Sequence, residues 1–385
     1  MVKSASRLQA YKMAKRAASH ACYLARCLTH ANATNRTPQN SSGTNIHTTR
    51  MTSSTQTRVP DSCVTLLARL KRSKPVVARK LTFSGVGQRD VYNIAAPFEW
   101  NGRHVIAGRV ESREVEHSEI ILFGDGNGVW QPIPSATTFP GLQDPCITII
   151  GGEIVLGGVR FPVTVADGSV GWRMEFYRGS SVDDLKLFLE GPDKMKDIRL
   201  VGLADEQIGI LTRPQGAKGG RGQIGFVIAA SLDSITAEAI QEAPLFKDQC
   251  REDEWVGANE AHRLQNGTIG VLGHIAHFDE KEHRHYYAMV FCIDTRDGRA
   301  TAPEIIASRS DFPDGPAKRP DLVDVMFSGG LIRRTDGTAT LYAGLSDAEA
   351  GCVLLPDPFA KCEARVQADH TAIDAIQKCP STIPK

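Results

Sequence analysis

Short apolar runs recur along most of the chain, alternating with polar turns. Runs of this kind are Val105–Val110, Glu119–Phe123, Ile147–Ile150, Ile154–Val159, Arg173–Tyr177, Ile198–Leu203, Ile208–Thr212, Ile224–Ala229, Ile269–His274, Tyr286–Ile293 and Ala339–Leu345. They are rich in β-branched and aromatic residues and too short for helices, so they predict strands. Asn101-Gly102, Asp125-Gly126, Gly151-Gly152, Asn266-Gly267 and Asp336-Gly337 fall between them and supply the positive φ that tight hairpins need. Helical periodicity is scarce; its best stretch, around Thr236–Ala243, is brief. Serial hairpins without crossover helices exclude a parallel α/β sheet and predict an all-β fold, a sandwich or a propeller. The body from about residue 81 to 360 is long for one sandwich, which favours several antiparallel units around an axis.

Several strand ends carry a charged or polar group: Lys196, Arg213, Glu260, His274 and Asp347. Asp144 sits directly before Pro145. One acid beside a proline and several spaced cations suit a polyhydroxylated substrate with a phosphate next to it.

Composition narrows the class only a little. The 385 residues are 41% hydrophobic and 23% charged, with a formal net charge of +1. That balance gives no global case for nucleic acid or a membrane surface. No apolar window is long enough to span a bilayer. Nine cysteines form no CxxC pair, and several lie in apolar runs, as Cys292 does in Val290–Ile293. These read as buried free thiols of a reducing compartment.

Residues 1–60 are a different material, with nine Lys or Arg and no acid before Asp61. Such a segment cannot bury enough apolar surface to offset chain entropy. Residues 1–80 are therefore expected to be a disordered or weakly structured basic extension, and 361–385 a tail. The extension also has the composition of an organellar transit peptide, and Met51 is a possible alternative start. The expected location is cytoplasmic, or organellar if the extension is such a signal. A protein beginning at Met51 is expected to keep its melting temperature and turnover, and a large loss of either would show that the segment packs on the body.

Two motifs invite other chemistry. Gly220-Arg221-Gly222-Gln223-Ile224-Gly225 matches GxGxxG, but a strand follows it where a dinucleotide site needs a helix. His274, His277, His283 and His285 are close in sequence, but His274 and His277 would face opposite sides of one strand, and the other two lie in a charged hairpin. Neither a cofactor nor a metal is expected.

An ordered set of segments runs from Asp90 to Pro356: Tyr92–Pro97, Ala107–Arg113, Gln143-Asp144-Pro145, Lys196–Arg199, Thr212-Arg213-Pro214, Trp255–His262, Gly273–Ala276, Lys318–Val325 and Tyr342–Asp347. In this order they resemble the β-mannoside phosphorylases of glycoside hydrolase family 130. More closely still, they resemble the mannosyltransferase/phosphorylase family that makes and degrades β-1,2-mannan, glycosyltransferase family 108. The resemblance implies a five-bladed β-propeller with its site at the central cavity. It implies that Asp144 is the general acid, that Arg213, His274 and Lys196 bind phosphate, and that Asn93, Arg109, Asp197, Glu260, Asp324 and Asp347 bind sugar. It further implies a β-mannan oligosaccharide, mannose 1-phosphate or a nucleotide-sugar donor such as GDP-mannose, and inorganic phosphate as partners. Gln143 and Cys146 depart from the Glu-Asp-Pro-Arg pattern of the phosphorylases, which puts a phosphate contact at position 146 in doubt.

Phosphorolysis needs one acid and a set of cations, because phosphate is already a nucleophile; inverting hydrolysis needs a second carboxylate to activate water. Arginine offers paired donors to phosphate and lysine a point charge. Burial and bound phosphate would raise the pKa of Asp144 toward its working range. Trp255 suits a sugar platform or a core position. The rival readings are a hydrolase on the same fold, with Glu260 as its second carboxylate, and a non-catalytic sugar-binding propeller.

Overall fold

The computed structural model describes residues 59–70, 76–296 and 298–364. Expectations about residues 1–58 and about the end of the tail lie outside these. Among the described residues the protein is all-β with few helices, and its strands fall into four sheets. The first contains β2 (Thr82–Phe83), β3 (Asp90–Tyr92), β4 (Phe98–Trp100), β5 (Arg103–Glu111), β6 (Glu119–Gly126), β7 (Val129–Pro132) and β8 (Phe139–Pro140). The second is β9 (Leu142–Ile150), β10 (Glu153–Thr164), β11 (Val170–Gly179) and β12 (Lys186–Glu190); the third is β13 (Arg199–Gly202), β14 (Ile208–Thr212) and β15 (Gly225–Ala229). The last sheet joins two antiparallel sets: β16 (Trp255–Arg263), β17 (Ile269–Phe278), β18 (Arg284–Ile293) and β19 (Glu304–Ala307), then β20 (Asp324–Arg333), β21 (Thr338–Leu345), β22 (Glu349–Pro356) and β1 (Val77–Lys80). The sets meet through a short parallel pairing, His285 with Asp324 and Tyr286 with Val325.

The apolar faces of these units cover one another in turn. One core places Leu122 and Phe139 of the first sheet against Leu142 and Leu156 of the second. A further core joins Phe176 to Ile210, and the next joins Leu211 and Phe226 to Val271 and Met289. Leu272 and Val290 then pack with Leu341 and Val353. Ala350 closes the circuit by packing with Val91, Ile106 and Phe123 of the first sheet. The first long strand of each antiparallel set contacts its counterpart in the next set, so β5, β9, β13, β16 and β20 succeed one another around the interior.

Two boundaries differ from the sequence expectation. The body begins well before residue 81. A helix, Cys63–Ala68, is capped by Ser62, whose hydroxyl accepts from the Thr65 amide, and it buries Cys63 and Leu66 in the core beside Met289 and Phe291. The Cys63 amide donates to Glu254 at 2.6 Å, and β1 pairs with β22 from Val77↔Leu354 to Lys80↔Gly351. Only the assembled body offers these two short pieces a bare core edge and a free strand edge. At the other end Cys362 is bonded to Cys292 across 70 residues of sequence. Cys292 is therefore not the free thiol that its apolar run suggested, because the chain after β22 returns over the end of β18. Cys63, Cys146, Cys250 and Cys352 are free.

No helix among the described residues is long and apolar enough to cross a membrane.

Candidate active site

Each inner strand, or the loop beside it, contributes polar side chains to one interior region. Arg109 comes from β5, Asp144 from β9, Arg199 from β13, Asn259 from β16 and Ser328 from β20. Three of these strands are bulged at this level. Gly157 pairs with Cys146 and Val159 with Gln143, so Asp144 and Pro145 oppose the single residue Gly158. Ala258 pairs with Gly273 and Glu260 with Leu272, leaving Asn259 as the extra residue; β20 slips in the same way between Ser328 and Gly330. A bulge re-aims a side chain that a regular strand would send to the sheet face. Asn93, Asp144, Asp197 and Asp347 all have positive φ, at 45°, 52°, 59° and 52°. Asn and Asp tolerate this conformation better than other side chains with a Cβ, and such strain gathers at functional sites.

The first group surrounds Asp144. Its Oδ1 accepts from Asn93 Nδ2 at 2.8 Å and from Arg109 Nη1 at 3.0 Å. Arg109 also donates through Nε and Nη2 to Glu111 at 2.9 and 2.5 Å and lies over the Tyr92 ring. Lys318 and Ser118 complete the buried Glu111 carboxylate. Burial pushes the Asp144 carboxyl upward, but Arg109 and Lys196 outweigh it, and the group ends below the ordinary aspartate range. This corrects the expected upward shift: without phosphate, the adjacent cations win over burial. Asp347 goes the other way. Burial and the Asp144 charge raise it against the pull of Arg109.

The second group surrounds Arg213, which is 2% exposed. Its Nε donates to Val256 O at 2.8 Å, and its Nη1 lies 3.3 Å from Asp197 Oδ2. Arg199 Nη2 approaches the same Asp197 at 3.9 Å, while its Nε donates to Asn259 O at 2.6 Å. Burial raises the Asp197 carboxyl, but Arg213, Lys196 and Arg199 bring it down to about 2. His274 is neutral. Burial, with Arg213, Lys196 and Arg199 nearby, lowers its pKa to about 3 despite Asp197. It therefore adds no positive charge, contrary to the expectation of a third cation. Its Nδ1 lies 2.8 Å from Asn259 Oδ1. Three cations (Arg199, Arg213, Lys196) against one carboxylate (Asp197) leave a net charge of two positives, which balances a phosphate dianion. Lys196 acts on Asp144 as well as on Asp197 and His274, so it links the two groups.

The glycine-rich stretch takes its meaning here. Gly222 has φ 144°, and a Cβ on it would fall 2.5 Å from Arg213 Nη2; a Cβ on Gly257 would fall 2.4 Å from His274 Cε1 and 3.0 Å from Arg213 Cδ. The literal GxGxxG match is a loop that lets a guanidinium lie against backbone. Gly222→Ala is expected to displace Arg213 and to raise the Michaelis constant for phosphate about tenfold, from the weakening of one charge-assisted contact. A phosphate saturation curve checks this, and an unchanged constant would show that Arg213 does not need the contact.

The remaining predicted residues have partners of their own. Asp324 accepts from His285 Nδ1 at 2.7 Å and from Tyr287 at 3.2 Å, and shares a recess with Leu67, Leu70 and Ser308. Both partners come from β18, against which β20 starts. Glu260 Oε2 accepts from the Leu331 amide and contacts His262 Nε2, both at 2.7 Å, tying β16 to β20. Trp255 is buried, donates to Tyr286 OH at 3.1 Å and packs on Phe278. Cys146 is buried in the core with Phe176. His277 stacks on His285, and no group of metal-ligating side chains occurs among the described residues. Sequence reasoning did not single out Glu111, Lys318, Arg199 or Asn259. All four lie inside quoted segments, but nothing in a linear pattern distinguishes them from surface polar groups. Removing the Glu111 charge leaves Lys318 and Arg109 facing an uncharged group. Glu111→Gln is accordingly expected to lower stability by about 3 kcal/mol, readable as a fall in the denaturation midpoint; a change under about 0.5 kcal/mol, the scale of an ordinary surface substitution, would contradict it.

Comparison with known proteins places this all-β body, with its buried acid and cation groups, among glycosyl-transferring enzymes. Residues 68–361 match the family described as "Protein of unknown function (DUF1861)". A mannose phosphorylase of Leishmania mexicana, MPT-4, solved with a phosphate ion, is 36% identical, with TM-score 0.68 over 75% of this chain and 90% of that one. MPT-1 of the same organism, a GDP-Man-dependent mannosyltransferase, is 34% identical, with TM-score 0.69 over 78% and 95%. A β-1,2-mannobiose phosphorylase from Listeria innocua shares the fold at 14% identity and TM-score 0.53, covering 76% of this chain and 95% of that one. No curated protein sequence matches. The chain belongs to the family of the Leishmania mannosyltransferases and mannose phosphorylases.

Proposed function

We propose that the protein is a β-1,2-mannosyltransferase/phosphorylase. It moves mannose reversibly between mannose 1-phosphate, or GDP-mannose, and β-1,2-mannan oligosaccharides. The fold we propose for it is a five-bladed β-propeller, supported by five interlocking apolar cores, of which the last joins the final strands to the first sheet. The observation that carries the function is the division of the interior into two groups linked by Lys196. One holds a single acid, Asp144, oriented by Asn93 and Arg109. The other holds a surplus of two positive charges around Arg213 when Lys196 is counted with it.

In this reading Asp144 serves the glycosidic oxygen and Arg213, Lys196 and the His274 ring hold phosphate for attack at the anomeric carbon. The bond from that carbon to the leaving sugar oxygen breaks as the bond to a phosphate oxygen forms, and the proton from Asp144 ends on the leaving oxygen. Asp144 is ionised in the ligand-free protein, so it takes up a proton from solvent as the substrates bind. A bound phosphate dianion offsets the Arg213 and Lys196 charges and returns the carboxyl upward. Asn93, Arg109, Asp197 and Asp347 suit sugar hydroxyls. A hydrolase would need a free second carboxylate; Glu260 is already taken by Leu331 and His262.

The test is purified protein with mannose 1-phosphate or GDP-mannose and a short β-1,2-mannan, with and without phosphate. Phosphate-dependent cleavage and donor-dependent extension are expected. Cleavage to free mannose at equal rate without phosphate would replace this reading with the hydrolase.

A further inference from the structure

We propose that Asn259 fixes His274 as the Nδ1–H tautomer, so that the Nε2 lone pair accepts the P–OH hydrogen of monohydrogen phosphate and the site rejects sulfate, which has no such hydrogen. The inference rests on the second group being the phosphate site. It concerns the direction of one hydrogen bond and the anion that this direction selects.

The imidazole is 1% exposed and packs with the Tyr286 and Phe327 rings, 5.3 and 5.5 Å away. Its edge over Gly257 has no room for a methyl group. The ring therefore has one orientation. Asn259 Oδ1 lies 2.8 Å from Nδ1, and an amide oxygen can only accept, so Nδ1 carries the hydrogen. The groups facing the ring are Asp197, Arg213, Lys196 and Arg199, and their combined effect with burial keeps it neutral. A neutral imidazole with hydrogen on Nδ1 presents a lone pair at Nε2.

The bulge is what places Asn259 there. As the extra residue of β16 it escapes the strand alternation, and Arg199 Nε pins its carbonyl at 2.6 Å. The rest of its amide points to the same ligand. Asn259 is 1% exposed, and its Nδ2 is buried with no protein partner. Arg213 Nη1 likewise makes no hydrogen bond within the protein, although it lies near Asp197. Buried donors normally have partners. Two donors and one acceptor, set around one arginine, match the unprotonated oxygens and the single hydroxyl of monohydrogen phosphate. Parking the hydroxyl on His274 also leaves an unprotonated oxygen free to attack the sugar.

Calorimetric titration of the full-length protein with inorganic phosphate and, separately, with sulfate tests this at one ionic strength. Phosphate is expected to bind about 10–100-fold more tightly, the scale of a buried acceptor matched against one left facing an anion. Asn259→Leu releases the tautomer and should bring the two anions within about threefold, the part of that range left when the acceptor is no longer fixed. Asn259→Asp still accepts from Nδ1, so it should keep the preference while weakening both anions. Nitrogen-15 NMR of the histidine rings, with His274→Gln for assignment, should report Nδ1–H at His274 in the unmutated protein. That measurement decides the matter even if Asn259→Leu does not fold. Equal binding of the two anions, or an Nε2–H tautomer, would overturn the inference and leave the phosphate site standing. Binding of neither anion would remove the site and the inference together.

Discussion

Asp144→Asn is expected to lower phosphate-dependent mannan cleavage about 10²–10⁴-fold, the usual scale for loss of a general acid. The amide keeps the shape of the carboxyl and can still accept from Asn93 and Arg109. It cannot deliver an acidic proton to the leaving oxygen. Oligosaccharide binding should change little. Stability should fall modestly, because Arg109 also pairs with Glu111. The pH dependence has a definite sign. The folded-state pKa of Asp144 is depressed, so its contribution to stability is present above the unfolded pKa and is lost as pH falls through the folded value. Turnover behaves oppositely, since the bound complex needs the protonated acid. In the cleavage direction kcat should decline as pH rises past the pKa that phosphate restores, and Asp144→Asn should erase that decline. A folded Asp144→Asn protein that cleaves at the unmutated rate would remove the catalytic assignment.

Arg213→Ala is expected to impair phosphate use much more than oligosaccharide binding. Truncating one partner of a buried charge contact costs about 2–5 kcal/mol, which corresponds to a phosphate constant raised roughly 30-fold or more. Part of the loss comes from Asp197, which keeps its charge and loses its nearest cation. Arg213→Lys separates the two contributions. It retains a charge near Asp197 but not the paired donors or the Nε bond to Val256. Phosphate saturation curves at fixed mannan, run for both variants, give the result. An unchanged phosphate constant in Arg213→Ala would take Arg213 out of the site.

Much of the strand pattern was legible because a half-buried strand writes its burial into residue type. The runs Ile208–Thr212 and Tyr286–Ile293 correspond to β14 and to most of β18. β16 and β20 were missed. They carry Glu260, His262, Ser328 and paired glycines at inward positions, and interior polar residues break the alternation that marks a strand. The helix Cys63–Ala68 was missed for another reason: six residues cannot hold a helix without a surface to pack on.

The same division runs through the site. Asp144 before Pro145, Asn93, Asp197 and Asp347 are residue types that accept positive φ, and a chain can advertise such positions locally. Arg109, Arg213, Lys196 and His274 were visible as polar groups near strand ends, and the ordered segments tied them to one family. Their partners were not visible. That Glu111 neutralises Lys318 across 207 positions, that Arg199 holds the Asn259 carbonyl, and that Asp324 meets His285 depend on which strands become neighbours.

The sequence by itself determined the all-β class, the family and most of the side chains with chemistry to offer, because these are properties of composition, alternation and ordered motifs. Only the tertiary structure decided their charge states and alliances. Proton affinity is set by burial and by charges a few ångströms away, so an aspartate expected to be raised is lowered by Arg109 and Lys196, and a histidine expected to be a cation is held neutral. Those distances exist only once strands far apart in the chain have closed around a common interior.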